Sequence, residues 1–310
     1  APWRPPAEIK GAIWTPGPGA RTIRTEVGMD LGHFLVQHSR GKLSVRAARR
    51  HLENGCCRID GRVETYGSRL LKRGEVVEFF LPEEREHHFD RKRILLDDVG
   101  VLAYDKPPFL PVTPTDGPKS WSLLDILKAE LGAIFPVHRL DADTSGVVLF
   151  TRNEDLAKKM EALFRDHQVR KTYHAIVRGH PRETGSHRSY LVKVESRQGF
   201  EKWKSGRGAD AREAVTTWTV EERLGTYGSL VRVEPKTGRH HQIRLHFSEL
   251  GFPLYGDRIY GDRRDPVHAM RQLLHASRVQ LPHPAGGPDL DVQSRLPREF
   301  LELGEQLRKL

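Results

Sequence analysis

A dense run of charge interrupts the chain roughly a quarter of the way along its 310 residues. The run Glu83–Lys92 consists of charged residues and histidines around a single phenylalanine. Such a segment buries too little apolar surface to offset the entropy that it would lose on ordering. It therefore predicts a linker, at residues 83–97, between a small N-terminal domain and a large C-terminal domain at 98–310, a division that the length allows.

The small domain is predicted at residues 28–82, after a stretch, 1–27, whose Pro and Gly content indicates an irregular arm. Apolar spacing around Leu31 and Phe34 indicates a first helix, and Ser44 is a suitable N-cap for a second helix that runs to Asn54. Spacings of three and four residues place three cations of the second helix on a face separate from its packing face, namely Arg46, Arg49 and Arg50.

A small sheet is predicted after these helices. Asp60-Gly61 lies between two short alternating segments, which is typical of a tight hairpin, and the alternation from Gly74 to Phe79 indicates another strand. The predicted order is therefore helix, helix, sheet.

The C-terminal region alternates irregularly between strand and helix patterns. Helices are predicted from Ser122 to Leu131 and from Asn153 to Phe164. Strands are predicted at Val101–Tyr104, Val147–Phe150, Tyr173–Val177, Val215–Val220 and Leu230–Val233. Without a regular βαβ alternation the pattern favours an α+β fold with a mixed, mostly antiparallel sheet. There is no Rossmann or P-loop glycine pattern, so no nucleotide cofactor is predicted.

The charge balance points to a polyanionic partner. Lys and Arg number 51 against 41 for Asp and Glu, a net charge of +10, which favours nucleic acid, although a merely soluble basic surface is the alternative. No apolar run is long enough to span a membrane. The only cysteines, Cys56 and Cys57, are adjacent and predicted to be reduced, and the start of the sequence has no secretory h-region, so a cytoplasmic location is expected.

A polar segment with two carboxylates, His138–Gly146, leads directly into the apolar run Val147–Phe150. A loop joined to a buried strand in this way can hold a carboxylate at a cleft with little freedom, as nucleophilic or acid/base chemistry requires. The alternative is a polar turn in which short side chains cap backbone N–H groups, and we favour that role for Asp143, Thr144 and Ser145.

The whole segment resembles the His-Arg-Leu-Asp-x-x-Thr-Ser-Gly signature of the RluA-type pseudouridine synthases at every fixed position. Further segments resemble other motifs of that family in the same order: Tyr104–Pro108, Lys171–Tyr173, Thr237–His246, Gly251–Pro253, Gly256–Gly261 and Leu274–Ala276. Two positions depart from the pattern: His240 replaces a frequent Thr, and Thr113-Pro114 replaces a frequent His-Pro.

The N-terminal module resembles the S4 RNA-binding domain. The matching residues are Asp30, Phe34, Leu35, Ser39, Arg40, Gly55, Asp60-Gly61 and Leu71–Glu75. The opening Leu31-Gly32-His33 and the Glu75 at a site where Asp is common depart from that pattern. An ordinary solvated basic helix is the alternative for the arginine face.

The family resemblance implies roles for three residues in the isomerisation of uridine to pseudouridine. Asp141 is the implied catalytic carboxylate, whether it attacks C1′ of the sugar, attacks C6 of uracil or assists a glycal route. Arg244 matches the arginine that pairs with this carboxylate and keeps it ionised, although an arginine on a strand could instead form a sheet-edge ion pair. Tyr173 matches the tyrosine that stacks on the base and assists proton removal from C5, against plain core packing.

A base held in a helix cannot reach a carboxylate, so the resemblance also implies base flipping, with Arg139 filling the vacancy. His138 and Arg239 are further expected RNA contacts, while Lys106 and Lys171 are expected to orient the pocket or a phosphate. The histidines His240, His241 and His246 are expected to be structural hydrogen-bonding groups, because no Cys or carboxylate spacing around them suggests zinc. No metal or cofactor is predicted.

The expected substrate is structured RNA. The combination with an S4-like module favours large-subunit ribosomal RNA, with tRNA as the alternative, and the enzyme is expected to be a monomer. The rival functions are a catalytically silent RNA-binding or ribosome-assembly factor and a hydrolytic N-glycosidase that releases uracil. The presence of Asp141, Tyr173 and Arg244 together argues against the silent factor.

Overall fold

A computed structural model describes residues 21–25, 28–39, 43–53, 56–79, 87–114, 121–197, 200–261 and 265–310. The chain divides into two compact units. The larger is formed by the described residues of 87–262 and 272–310, and the smaller by those of 6–86 and 263–271. No helix in the described part of the chain has the length and apolar character that a bilayer crossing requires.

The smaller unit packs two helices against an antiparallel sheet. Its helices are α1 (Leu31–His38) and α2 (Val45–Glu53), and its strands are β1 (Arg21–Arg24), β2 (Cys57–Ile59), β3 (Arg62–Val63) and β4 (Val76–Phe79), in the order β1-β4-β2-β3. Asp30 caps α1 by accepting a hydrogen bond from the His33 amide at 3.1 Å. The predicted hairpin is confirmed: Asp60 and Gly61 both have positive φ, at 48° and 80°, as the turn between β2 and β3 requires.

The N-terminal arm prediction is wrong for Arg21–Arg24, which form the edge strand β1 of the small sheet, paired with β4. Four residues are too short for a period to show in the sequence, and the partner strand supplies the hydrogen bonds. The described part of 1–27 outside this strand is residue 25, and Arg40 and Gly55 of the predicted module also lie outside the described residues. Cys56 and Cys57 are buried free thiols, and burial raises the pKa of Cys56 to about 12.

The larger unit is built on a long sheet. Its strands are β5 (Ile94–Asp98), β6 (Val101–Lys106), β7 (Phe135–Pro136), β8 (Ser145–Thr151), β9 (Arg170–Arg178), β10 (Thr184–Arg197), β11 (Phe200–Ser205), β12 (Arg212–Leu224), β13 (Gly228–Pro235), β14 (Leu274–Leu281) and β15 (Leu290–Gln293). Its helices are α3 (Leu123–Leu131), α4 (Glu154–Arg165), α5 (Gln242–Glu249) and α6 (Arg298–Arg308), with a short 3₁₀ turn at Arg91–Arg93.

These strands run in the order β11-β10-β12-β13-β9-β14-β8-β6-β5, with β15 beside β14 and β7 beside β8. Among the described pairs only β14 and β8 are parallel, so the predicted α+β fold with a mixed, mostly antiparallel sheet is confirmed. The parallel pair brings the backbones very close: Gly146 has φ of 112°, and a Cβ there would lie 2.2 Å from the Ala276 carbonyl oxygen. The glycine at the start of β8 is therefore required by this approach.

The five predicted strands of this unit and both predicted helices are confirmed, with Ser122 and Asn153 as the N-caps of α3 and α4. The linker prediction over 83–97 is wrong at its end, because Ile94–Asp98 pairs with β6 as an edge strand. This strand follows directly after the charged run and ends in two aspartates, which an edge strand tolerates. The sequence patterns also missed α5, α6 and the long β10–β11 hairpin.

Candidate active site

Asp141 lies in the loop that enters β8, and Lys106 holds this loop. Lys106 is fully buried, and its Nζ donates to the carbonyl oxygens of Leu110 and Ala142, both at 2.8 Å, and of Pro107 at 2.9 Å. A buried ammonium group is stable only with such partners. Lys106 therefore fixes the loop that carries Asp141, and its burial does not suit the expected contact with an RNA phosphate.

His138 also supports the loop. Its Nε2 accepts a hydrogen bond from the Leu149 amide at 2.9 Å, and its ring lies 4.9 Å from the Phe164 ring. Burial, with a smaller effect of the Lys171 charge, lowers the pKa of His138 to about 3, so the ring is neutral. These contacts join the loop to β8 and α4, which differs from the expected contact with RNA.

Two linked ion pairs, Asp141 with Arg244 and Arg244 with Asp257, connect the Asp141 loop to helix α5. Arg244 Nη1 donates to Asp141 Oδ2 at 2.8 Å, and the opposite side of the guanidinium binds Asp257 through Nε at 2.6 Å and Nη2 at 3.0 Å. The amides of Ile259 and Tyr260 donate to Asp257 Oδ1 at 2.9 and 3.0 Å. Arg244 lies on a helix and not on a strand, so the alternative of a sheet-edge ion pair is wrong.

The Asp141 side chain keeps 19% of its surface exposed, whereas those of Arg244 and Asp257 keep 5% and 0%. Burial favours the neutral acid, but the contacts with His240, Arg244 and His241 outweigh it and hold the pKa of Asp141 well below its usual range. The site thus presents one ionised carboxylate to solvent while its cationic partner is buried.

Two adjacent histidines line the same carboxylate. His240 Nε2 lies 3.4 Å from Asp141 Oδ1, and His241 Nε2 lies 3.6 Å from Asp141 Oδ2. The outer nitrogens are held in turn: His240 Nδ1 by Glu201 Oε2 at 2.7 Å, and His241 Nδ1 by the Tyr260 hydroxyl at 3.0 Å. Burial lowers the pKa of His241 to about 4, despite the nearby Asp141, so this imidazole is neutral at pH 7.

His241 has φ of 55°, a conformation that is strained for a non-glycine residue, at the N-terminus of α5. Gln242 stabilises the turn: its Oε1 accepts from Thr237 Oγ1 at 2.7 Å and from the Arg239 amide at 3.0 Å, and its Nε2 donates to β12. The Gln242 side chain therefore holds the strained turn through both its oxygen and its nitrogen, and this keeps the His241 imidazole beside Asp141.

Tyr173 lies on β9, partly buried, where its ring packs against two apolar clusters. Burial, with the charge of Asp141 as the second cause, raises the pKa of its hydroxyl, which therefore stays protonated at neutral pH. A partly exposed aromatic ring next to an ionised carboxylate provides a surface on which a base can stack.

The other predicted RNA contacts lie around this centre. Lys171 Nζ donates to the Thr237 carbonyl oxygen at 3.3 Å, and burial and the Arg239 charge lower its pKa to about 8. Arg239 donates from Nε to the Glu213 carbonyl oxygen at 2.9 Å. Arg139 is exposed and has no hydrogen bond or ion pair with any residue that the structure describes.

Arg49 of the smaller unit is exposed, and its aliphatic stem passes close to Gly67. The side chains of Arg46 and Arg50 lie outside the part of the chain that the structure describes. Helix α2 itself has the predicted extent to within one residue, Val45–Glu53.

Sequence reasoning missed three residues of the site. Asp257 belongs to a quoted motif, Gly256–Gly261, and its place there was the available signal. Tyr260, the hydrogen-bond partner of His241, lies in the same motif. Glu201 lies on β11 and gave no signal, because only the β10–β11 hairpin brings it to His240.

Comparisons with known proteins agree with this geometry. A family profile described as RNA pseudouridylate synthase matches residues 100–249. The tRNA pseudouridine synthase C of Vibrio parahaemolyticus is 32% identical over 68% of this chain and 92% of its own length. The ribosomal large subunit pseudouridine synthase D of Pseudomonas aeruginosa is 32% identical over 81% of this chain and 85% of its own.

A solved structure shares the fold. The human RNA pseudouridylate synthase domain containing 4 protein has a TM-score of 0.57 and 26% identity, and the match covers 70% of this chain and 93% of that one.

Proposed function

Because the chain belongs to the RNA pseudouridylate synthase family, an RNA isomerase family, we propose that Asp141, Tyr173 and Arg244 carry out its conversion of uridine to pseudouridine. In this reaction the glycosidic bond to N1 breaks, the uracil rotates, and the ring rejoins the sugar through C5. Asp141 is the catalytic carboxylate, Arg244 keeps it ionised, and Tyr173 stacks on the base and assists in moving the C5 proton.

One observation carries this assignment: the Arg244 guanidinium lies 2.8 Å from Asp141 and is neutralised on its other side by Asp257. An arginine without an acidic partner would bind any anion. Here the buried ion pair of Arg244 with Asp257 orients the partly exposed carboxylate of Asp141. The site is suited to chemistry at a neutral base and its sugar.

Product analysis tests the reaction. Structured RNA that carries 5-tritiated uridine is incubated with the protein, then digested to nucleosides. We expect tritium release matched by pseudouridine that stays in the chain. Free uracil would indicate a glycosidase instead, and binding without tritium release would indicate a silent RNA-binding factor.

We propose large-subunit ribosomal RNA as the target. The large-subunit synthase aligns with 81% of this chain, while the tRNA synthase aligns with 68% and leaves out about as much sequence as the N-terminal unit contains. If the N-terminal unit contributes to substrate choice, the preferred substrate should be that of the relative with the longer alignment, the large-subunit synthase. Unmodified large-subunit RNA and tRNA transcripts, treated separately and mapped for pseudouridine by carbodiimide primer extension, provide the test. Modification of tRNA alone would contradict the proposal.

We propose that Arg139 fills the gap left by a flipped uridine, since it is exposed two residues before Asp141. Arg139→Ala should then lower kcat/KM on a structured substrate by at least about tenfold, and on a single-stranded one much less, because little unstacking is needed there. The assay compares both substrates with the same target uridine. Arg298→Ala, at an exposed arginine of α6, is the matched control. Equal losses on both substrates would remove the base-flipping role.

Residues 28–82, which contain α1, α2 and β2–β4, are proposed to act as an S4-like RNA-binding module. Support comes from its helix-helix-sheet order and from the basic α2, whose Arg49 is exposed. Replacing Arg46, Arg49 and Arg50 by Ala should flatten the slope of log affinity against log salt by roughly 2, at about 0.7–0.9 per phosphate contact. Turnover at saturating RNA should remain near the original value, because uniform binding does not change kcat.

The salt series is measured by titration of labelled RNA at several KCl concentrations, with circular dichroism as a check on folding. Replacing Lys158, Lys159 and Arg165 of α4 by Ala removes the same charge elsewhere and serves as the control. If both triple variants change the slope equally, α2 has no specific RNA role and is an ordinary solvated helix face.

We propose that the enzyme works as a monomer in the cytoplasm. The two cysteines are free and buried, which suits a reducing compartment, and the large exposed apolar side chains in the described residues are few compared with those in its cores.

A further inference from the structure

The two histidines beside Asp141 are arranged as ligands usually are. Both direct Nε2 toward the carboxylate, and the donor atoms of Asp141, His240 and His241 all lie within 4.8 Å of one another. The sequence argued against zinc because no Cys or carboxylate around these histidines has the spacing of a zinc ligand. The fold supplies one from about 100 residues away, since the loop before β8 meets the N-terminus of α5.

The distances agree with a bound ion. Ligands at about 2.0–2.2 Å from a tetrahedral zinc are about 3.3–3.5 Å apart. His240 Nε2 lies 3.4 Å from Asp141 Oδ1 and His241 Nε2 lies 3.6 Å from Asp141 Oδ2, so each oxygen of the carboxylate faces one ring. Exposures of 19% for Asp141 and 23% for His240 leave these two ligands accessible from solvent.

Each outer nitrogen has a partner, which is the second requirement of a metal site. Glu201 Oε2 lies 2.7 Å from His240 Nδ1 as an ion-pair contact, and the Tyr260 hydroxyl hydrogen-bonds with His241 Nδ1 at 3.0 Å. Each partner orients its ring so that Nε2 points inward, and a carboxylate on the outer nitrogen also increases the basicity of the inner one.

The local charge favours a cation. Asp141, Asp257 and Glu201 carry three negative charges, against Arg244 and the Lys193 that pairs with Glu201. Arg244 is bound to Asp257 on its other side, and it contacts Oδ2 of Asp141, so Oδ1 remains directed at His240.

We propose that Asp141, His240 and His241 bind a divalent transition-metal ion such as Zn²⁺, and that this ion inhibits the enzyme. Two imidazoles and one carboxylate form the ligand set that Zn²⁺, Co²⁺ and related ions prefer. The inhibition rests on the proposed catalytic role of Asp141, because an ion on that carboxylate removes it from the reaction. The binding itself does not depend on that role.

His240 makes the site particular to this chain within the resemblance. A threonine is frequent at this position of the family motif, and a threonine hydroxyl is a poor ligand for these ions. His240 therefore supplies a ligand that a threonine would not, and Glu201 on β11 is the partner that orients it.

Binding and inhibition are measured separately on the full chain. Metal-free protein is titrated with Co²⁺ without RNA, and we expect one equivalent to produce visible absorption of a low-coordinate Co²⁺ complex, displaced by Zn²⁺. In the tritium assay, Zn²⁺ in excess over the enzyme should lower turnover at least tenfold, and a chelator should restore it.

Three variants define the site, each compared with its own rate in chelator. His240→Thr should weaken Co²⁺ binding more than 100-fold and remove the inhibition, and Glu201→Gln should weaken binding by about 10–100-fold. His187→Gln removes another histidine of the same unit that pairs with a carboxylate, Glu249, and should change neither.

Unchanged Co²⁺ binding in His240→Thr, or no specific binding by the original protein, would overturn the proposed site. Binding that fails in His240→Thr without inhibition in the original protein would retain the metal site and overturn the role of Asp141. The two failures are thus distinguishable.

Discussion

Asp141→Asn should lower the rate of pseudouridine formation by about 10⁴–10⁶-fold, the range found when an essential catalytic side chain is removed. The amide keeps the shape of the carboxylate but has neither its charge nor its nucleophilicity. Asp141 stays ionised at ordinary assay pH because its contacts with His240 and Arg244 outweigh burial and hold its pKa low. The charge that the substitution removes is therefore present throughout.

The fold should survive this change. Arg244 keeps its two contacts with Asp257, and the Asp141 site is partly exposed, so no buried charge is left unpaired. Tritium release measures the rate, and thermal unfolding and RNA titration check the fold and the affinity. Asp143→Asn, two residues further along the same loop, is the matched control and should keep its activity. Appreciable turnover by Asp141→Asn would assign the chemistry to another group.

Tyr173→Phe should lower kcat by about 10²–10⁴-fold, the usual contribution of one positioned proton-transfer group. The ring that packs against the clusters around β9 is retained, so affinity and stability should change little. Burial and the Asp141 charge raise the pKa of the hydroxyl, which is protonated at neutral pH. The Tyr173 hydroxyl can therefore accept the C5 proton only if it passes its own proton on at the same time.

Single-turnover rates of both proteins with the same RNA provide the measurement. Tyr104→Phe is a suitable control, because that hydroxyl lies in the same sheet and contacts only the backbone of Asp90, donating to its oxygen and accepting from its amide at 3.1 Å. It should reduce stability by about 1 kcal/mol and leave the rate alone. An unchanged rate in Tyr173→Phe would leave Tyr173 with the stacking role only.

Features that depend on short stretches of chain could be predicted from the sequence alone. Local strand patterns predicted β6, β8, β9, β12 and β13, caps predicted the starts of α3 and α4, and Asp60-Gly61 predicted the hairpin. Each of these features rests on contacts between near neighbours. The loop that carries Asp141 was found in the same way, since its polar residues and the following apolar strand are contiguous.

The tertiary structure decided what depends on distant partners. Strand Ile94–Asp98 looks like part of a charged linker until β6 lies beside it, and Arg244 gained its partner Asp257 through the turn that follows α5. Glu201 reached His240 only because the β10–β11 hairpin folds back over the site. Charge pairs and ligand sets of this kind are formed across the sheet by residues with no common period, so only the packed fold brings them together.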